Sequence, residues 1–212
     1  KYENLKILDL GCGKGAVSIT AAERFGCCCS GIDAVPEFID YAQEKAKEYN
    51  VGHLCTFEVG DMREEIKTLP DYEIIILGAI GPVFGDYYTT LTTLSKCLAQ
   101  KGVFIIDDGY IENDSDYSHP LIQKRETIIR QIDRAGMQLI EDDIIDKDSI
   151  KDSDGYIFEN LKKRCFELIN KYPEKKALFL DYIKKQEEEN EVLENKVICS
   201  TMVISRTTLI EE

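Results

Sequence analysis

No stretch of this sequence reaches the roughly 18 consecutive apolar residues that a membrane-spanning helix needs. No succession of basic, apolar and small residues at its start resembles a secretory signal. A soluble, cytoplasmic protein with no membrane partner is the expectation. Bases are also scarce: 26 Lys and Arg stand against 40 Asp and Glu, a formal net charge of −14. That balance opposes contact with a phosphate backbone and disfavours nucleic acid as a partner. The eight cysteines (Cys12, Cys27, Cys28, Cys29, Cys55, Cys97, Cys165 and Cys199) include no CxxC pair. Successive side chains of a strand point to opposite faces, so the run from Cys27 to Cys29 cannot converge on one ion. The cysteines read as reduced, mostly buried small hydrophobes, and no metal site is expected. Internal repeats are absent, and oligomeric state is not legible. The start at Lys1, with a strand-like run already under way at Leu5, reads as a segment trimmed from an upstream continuation.

What is present is a regular alternation. The 212 residues fit one domain. Strand-like apolar runs fall at 5–10, 28–32, 54–59, 73–77, 103–106, 137–145 and 197–204. Helical patterns lie between them. One spans about 15–25, and one follows Pro36 with Phe38, Ala42, Ala46 and Tyr49 as its buried face. Another carries Leu91, Leu94 and Leu98, and a fourth carries Leu121, Ile128, Ile129 and Ile132 and stops at Gly136. Strands separated by helices predict a mainly parallel sheet with helices on both faces. Residues 147–196 interrupt the alternation. Tyr156, Leu161, Phe166 and Ile169, then Ala177, Leu180 and Ile183 after Pro173, predict two helices with charged outer faces, an insertion within a single domain spanning 1–212.

The densest motif is LDLGCGKG at 8–15, where Gly11, Gly13 and Gly15 follow the first strand. A glycine turn between a first strand and a first helix lets a nucleotide-like ligand approach the backbone. A dinucleotide fingerprint runs GxGxxG and faces a pyrophosphate; here the spacing is GxGxG, with Ala16 where the third glycine would stand. Asp9, two residues before the turn, would repel a pyrophosphate and favour a ligand carrying positive charge.

LDLGCGKG, with GID at 31–33 and GDM at 60–62, resembles three motifs of the class I S-adenosylmethionine-dependent methyltransferases. All three fall at the carboxyl ends of expected strands, and the likeness covers most of 5–145 plus the final strand. It implies a Rossmann-like, doubly wound α/β sheet of seven strands, mainly parallel with the last antiparallel, and the insertion between the sixth and seventh. It implies S-adenosylmethionine as cofactor and S-adenosylhomocysteine as product. Asp9, Gly11, Cys12 and Gly13 would form the cofactor loop, and Asp33, followed by Ala34, would accept the ribose hydroxyls. Val35 would pack on the base, with Asp61 and Met62 flanking adenine, while Gly78 and Ala79 would face the methionine part.

The acceptor belongs outside the carboxyl ends of the strands, where the insertion is expected to form a cap. Asp108, Tyr110 and His119 are candidate catalytic groups on that edge, with Asp107, Tyr87 and Tyr88 nearby in sequence. Asp107 and Asp108 resemble the acid pair of magnesium-dependent catechol-type enzymes, but Gly78 and Ala79 stand where another acid would be needed. IGPV at 80–83 departs from the NPPY- or DPPY-like tetrapeptide of DNA adenine methyltransferases, and no cysteine between Ala79 and Lys96 serves cytosine chemistry. A small-molecule acceptor is the expectation. Protein or RNA methylation, or a cofactor-binding protein without turnover, are the alternatives; an NAD-dependent dehydrogenase ranks behind them.

Overall fold

A computed structural model describes residues 2–207. Strands β1 (Lys6–Leu10), β2 (Cys28–Asp33), β3 (Cys55–Val59), β4 (Tyr72–Gly78), β5 (Leu98–Tyr110), β6 (Met137–Ile144) and β7 (Ile198–Arg206) form one sheet in the order β3-β2-β1-β4-β5-β7-β6. β1 pairs in parallel with both β2 and β4, β2 with β3, and β4 with β5. β7 is antiparallel, so the expected fold class holds. Strand order reverses direction beside β1, the crevice position in open α/β sheets.

Local chemistry sets the helix ends. α1 (Ala16–Phe25) starts after Gly15 and stops at Gly26, whose left-handed backbone lets its N–H cap the Ala22 carbonyl. α2 (Pro36–Glu48) opens on proline, whose missing N–H costs nothing at that position, and ends with Lys45 and Lys47 in its last turn. The short α3 (Met62–Glu65) and α4 (Tyr87–Leu94) are capped by Asp61 and Asp86. α5 (Arg125–Arg134) precedes β6. Leu8, Leu10, Ile75 and Phe104 on the central strands are completely buried.

Three helical stripes differ from expectation. Leu98 opens β5 rather than continuing α4, because a 3-10 turn at Ser95–Cys97 ends the helix first. Leu121 lies before α5 and is 65% exposed. α2 buries Ile39, Ala42 and Ala46, while Phe38 and Tyr41 face outward beneath the Lys14 ammonium. A cation over a ring accounts for aromatics kept at the surface.

The chain divides into two compact units. One comprises Lys1–Asp108, Glu126–Asp142 and Thr201–Glu212; the other comprises Gly109–Arg125 and Asp143–Ser200. The second contains α6 (Lys147–Lys171), capped by Asp146, and α7 (Lys176–Lys196), which pack on one another. The side of α6 withdrawn from solvent carries Phe158, Leu161, Cys165 and Leu168; Phe179 and Ile183 serve α7. Tyr156, Phe166 and Leu180, expected on the inner stripe, are instead exposed. Among the described residues no helix is long and apolar enough to cross a membrane.

Candidate functional site

The turn after β1 is built on three left-handed glycines, with φ of +71° at Gly11, +53° at Gly13 and +76° at Gly15. Their environments differ. A Cβ on Gly15 would stand 2.8 Å from the Phe57 ring and 2.9 Å from Ala42, and one on Gly11 would meet Ile80 at 2.5 Å. Gly11 and Gly15 are therefore packing positions. Among the described residues, a Cβ on Gly13 or on Gly78 would meet nothing within 4 Å. These two leave backbone bare toward open space, as a ligand cradle requires.

Asp33, at the end of β2, holds this turn. Its Oδ2 accepts from the Gly13 N–H at 2.8 Å and its Oδ1 from the Val35 N–H at 2.9 Å. A carboxylate offers about four acceptor directions, so two remain for a ligand's hydroxyls. Ala34 lies between Asp33 and Val35, at the exposed entry to α2. These residues fit an adenosine-bearing cofactor: a bare backbone at Gly13 beside an acid able to accept a pair of hydroxyls.

Asp9 is only 3% exposed, and its Oδ2 accepts from the Ser18 hydroxyl at 2.6 Å. Burial pushes its pKa up, the Ser18 hydrogen bonds oppose that rise, and the Asp33 charge adds to it. Ser18, fully buried in α1, escaped the sequence reading. Its signal is a hydroxyl on the apolar face of AVSITAA.

The raised pKa fixes the direction of a pH effect. Between the ordinary and the elevated value the fold binds the Asp9 proton more tightly than the unfolded chain does, so stability falls as pH rises through that window. Asp9→Asn keeps an acceptor for Ser18 and is expected to raise the neutral-pH melting temperature. The gain should vanish as the pH is lowered to the ordinary carboxylate range; scanning calorimetry of both proteins across pH checks it.

Cys12 sits beside these acids. Burial, then the Asp9 and Asp33 charges, push its thiol up to about 12, so it is no nucleophile at neutral pH. Asp61 caps α3 through the Arg63 N–H at 3.0 Å and grips the Arg63 guanidinium at 2.7–3.2 Å. That pairing draws its pKa down to about 2. Met62 reaches toward Gly11, its Cε 3.4 Å from where a Cβ would stand.

After β4, Ala79 adopts φ +53°, a conformation costing a non-glycine residue about 1–2 kcal/mol. The Ala79 N–H donates to the Asp107 carbonyl at 2.9 Å, which fastens the strained residue to β5. Strain of this kind clusters at ligand sites.

The candidate catalytic residues each have their own partners. Asp108 accepts from the Tyr87 hydroxyl at 2.9 Å. Burial, then the Asp108 charge, raise the Tyr87 pKa and keep that hydroxyl a donor. The Tyr87 N–H also donates to Gln131, so Tyr87 is held at both ends. Burial, then Asp108, raise Asp107, while a Thr201 hydrogen bond opposes the shift. In the second unit Tyr110 is buried under the Arg125 guanidinium. His119 Nδ1 accepts from the Leu121 and Ile122 N–H groups at 3.2 and 3.3 Å, which makes the imidazole a loop cap.

Comparison with known proteins agrees with this geometry. The methyltransferase domain family matches residues 1–197. Geranyl diphosphate 2-C-methyltransferase of Saccharopolyspora erythraea is 38% identical over 108 residues, covering 49% of this chain and 36% of that protein. Malonyl-[acyl-carrier protein] O-methyltransferase of Acetivibrio thermocellus is 26% identical over 199 residues, covering 91% of this chain and 68% of its own. The first match thus spans little more than a third of its relative. A Geobacter sulfurreducens methyltransferase solved with S-adenosylhomocysteine superposes with a TM-score of 0.82 at 17% identity, covering 98% of this chain and 86% of that one. Glycine turn, strand order and family match converge: the chain belongs to the S-adenosylmethionine-dependent methyltransferases of the class I, Rossmann-like fold.

Proposed function

We propose that the protein transfers the methyl group of S-adenosylmethionine to a small-molecule acceptor. The observation that carries this reading is the open backbone at Gly13 and Gly78, with Asp33 fastened to the Gly13 N–H. Bound there, S-adenosylmethionine supplies a methyl group on a positively charged sulfur. Asp33 accepts the ribose hydroxyls, Met62 and Val35 flank the base, and the turn at Gly11, Cys12 and Gly13 lies against the rest of the cofactor. Gly78 and Ala79 bound the methionine part. Asp9, buried behind the turn, fixes the turn on α1 and sets a negative field beneath it. Asp61, paired with Arg63, would lie beside the adenine.

Methyl transfer needs alignment of acceptor, methyl and sulfur and exclusion of water; a base is needed only for a protonated acceptor. Asp108, oriented by Tyr87, is the proton acceptor this reading favours over Tyr110 and His119. The net charge of −14 supports a small molecule over nucleic acid. The names of the two relatives, one acting on a prenyl diphosphate and one on an acyl group carried by a protein, support small organic acceptors.

The decisive assay follows S-adenosylhomocysteine release across a panel of small acceptors, with a protein and an RNA substrate alongside. Turnover confined to small molecules is the expected result. Cofactor binding with no product from any acceptor would leave a binding protein instead. The segment 147–196 contributes no strand, and we assign it acceptor selection. Replacing 150–192 by a short linker is then expected to keep S-adenosylhomocysteine affinity and abolish turnover; a chain that no longer folds would make the segment structural.

A further inference from the structure

Three thiols lie on one side of the sheet beneath the glycine turn. Cys27 and Cys29, two residues apart, place their sulfurs 3.8 Å from each other, and Cys29 is the direct register partner of Cys55 on β3. Cys27 and Cys29 are buried, whereas Cys55 is partly accessible. Cys28 points the other way and is exposed. The Cys55 thiol donates to the Ser18 carbonyl at 3.9 Å, and the neighbouring Cys29 thiol draws the Cys55 pKa down while burial opposes the fall. A partly accessible thiol whose direct neighbour on the adjoining strand is a second, buried thiol has the makeup of an oxidation site with its own resolving partner.

Two residues further along the same face of β3 is Phe57. Its ring fills the space that a Cβ on Gly31 or Gly15 would take, at 2.6 and 2.8 Å. Phe57 is thus the floor of the turn that Asp33 fastens.

We propose that Cys55 and Cys29 form a peroxide-driven disulfide that loosens the cofactor turn by displacing Phe57. The effect on the cofactor turn rests on the cofactor reading above; the disulfide chemistry does not. The Cys55 thiolate attacks one oxygen of hydrogen peroxide, the O–O bond breaks, and hydroxide leaves, taking up the proton lost by the Cys55 thiol to become water. The resulting sulfenic acid is attacked by the Cys29 sulfur, which forms the S–S bond and releases a second water with the Cys29 proton. Two thiols are oxidised and one peroxide is reduced. Neighbouring strands lie about 4.7–4.9 Å apart, whereas the Cβ atoms of a disulfide approach to about 3.5–4.5 Å. Closure therefore draws β3 toward β2, and the packing at Gly15 and Gly31 has no slack to absorb the shift of Phe57.

Treatment of the protein with hydrogen peroxide, followed by peptide mass mapping and calorimetry with S-adenosylhomocysteine, tests the proposal. The expected result is a Cys29–Cys55 linked peptide, about tenfold weaker binding, and recovery of both with dithiothreitol. Cys55→Ser and Cys55→Ala are each expected to bind with unaltered affinity before and after peroxide. A bridge elsewhere, Cys55 oxidised without a bridge, or a Cys29–Cys55 bridge with unchanged affinity would overturn it. Failure of the reduced protein to bind S-adenosylhomocysteine would overturn the cofactor reading, and the mapped bridge would still decide the disulfide.

Discussion

Asp33→Ala is expected to weaken S-adenosylhomocysteine binding on the order of a hundredfold, since hydrogen bonds to a charged group contribute about 1.5–3 kcal/mol each. Two losses coincide in this variant. The ligand loses its hydroxyl acceptor, and the Gly13 N–H loses the carboxylate that orients the turn. Asp33→Asn separates them, because its amide oxygen still serves one backbone N–H while its NH₂ cannot accept. An affinity between wild type and alanine is expected for asparagine by calorimetry. Unchanged affinity in the alanine protein would remove Asp33 from the site.

Gly15→Ala and Gly13→Ala should separate folding from binding. At Gly15 the added methyl meets both the Phe57 ring and Ala42 while the backbone stays left-handed. Strain and overpacking together predict a loss of about 2–4 kcal/mol in folding stability, read as a fall in denaturant midpoint. Gly13 carries the same backbone penalty of about 1–2 kcal/mol but no clash. Its methyl enters the space assigned to the cofactor, so this variant is expected to fold and lose binding. A Gly13→Ala protein with wild-type affinity would show that the open face is not where the ligand lies.

The sheet was legible because its punctuation is strong: glycines after β1 and α1, proline at the head of α2 and glycine before β6 each mark a boundary. Helix faces were less so. Leu91, Leu94 and Leu98 keep a helical period although the hydrogen bonding changes at Ser95, and periodicity carries no sign of that change. Tyr156 looks like a core residue in a lysine-rich helix, yet the packing of α6 on α7 uses Phe158, Leu161 and Cys165. Motif likeness pointed to Asp33 and Gly13, and their hydrogen bond is what the fold adds. Phe57 and Ile80 were missed because each supports the turn from another element, a relation that no local pattern encodes.

The position of β1 between β2 and β4 bears on the order in which the protein can assemble. The glycine turn, Asp9 and Asp33 belong to one β1–α1–β2 stretch and can meet early, through contacts close in sequence. Gly78 and Ala79 join them only when β4 pairs along β1, after α2, β3 and α3 have been threaded past. Pairings so distant along the chain close slowly. With the cofactor placed as proposed, a growing polypeptide released before β4 would carry the recognisable motif without a finished site, and competence for S-adenosylmethionine would arrive with the far side of the sheet.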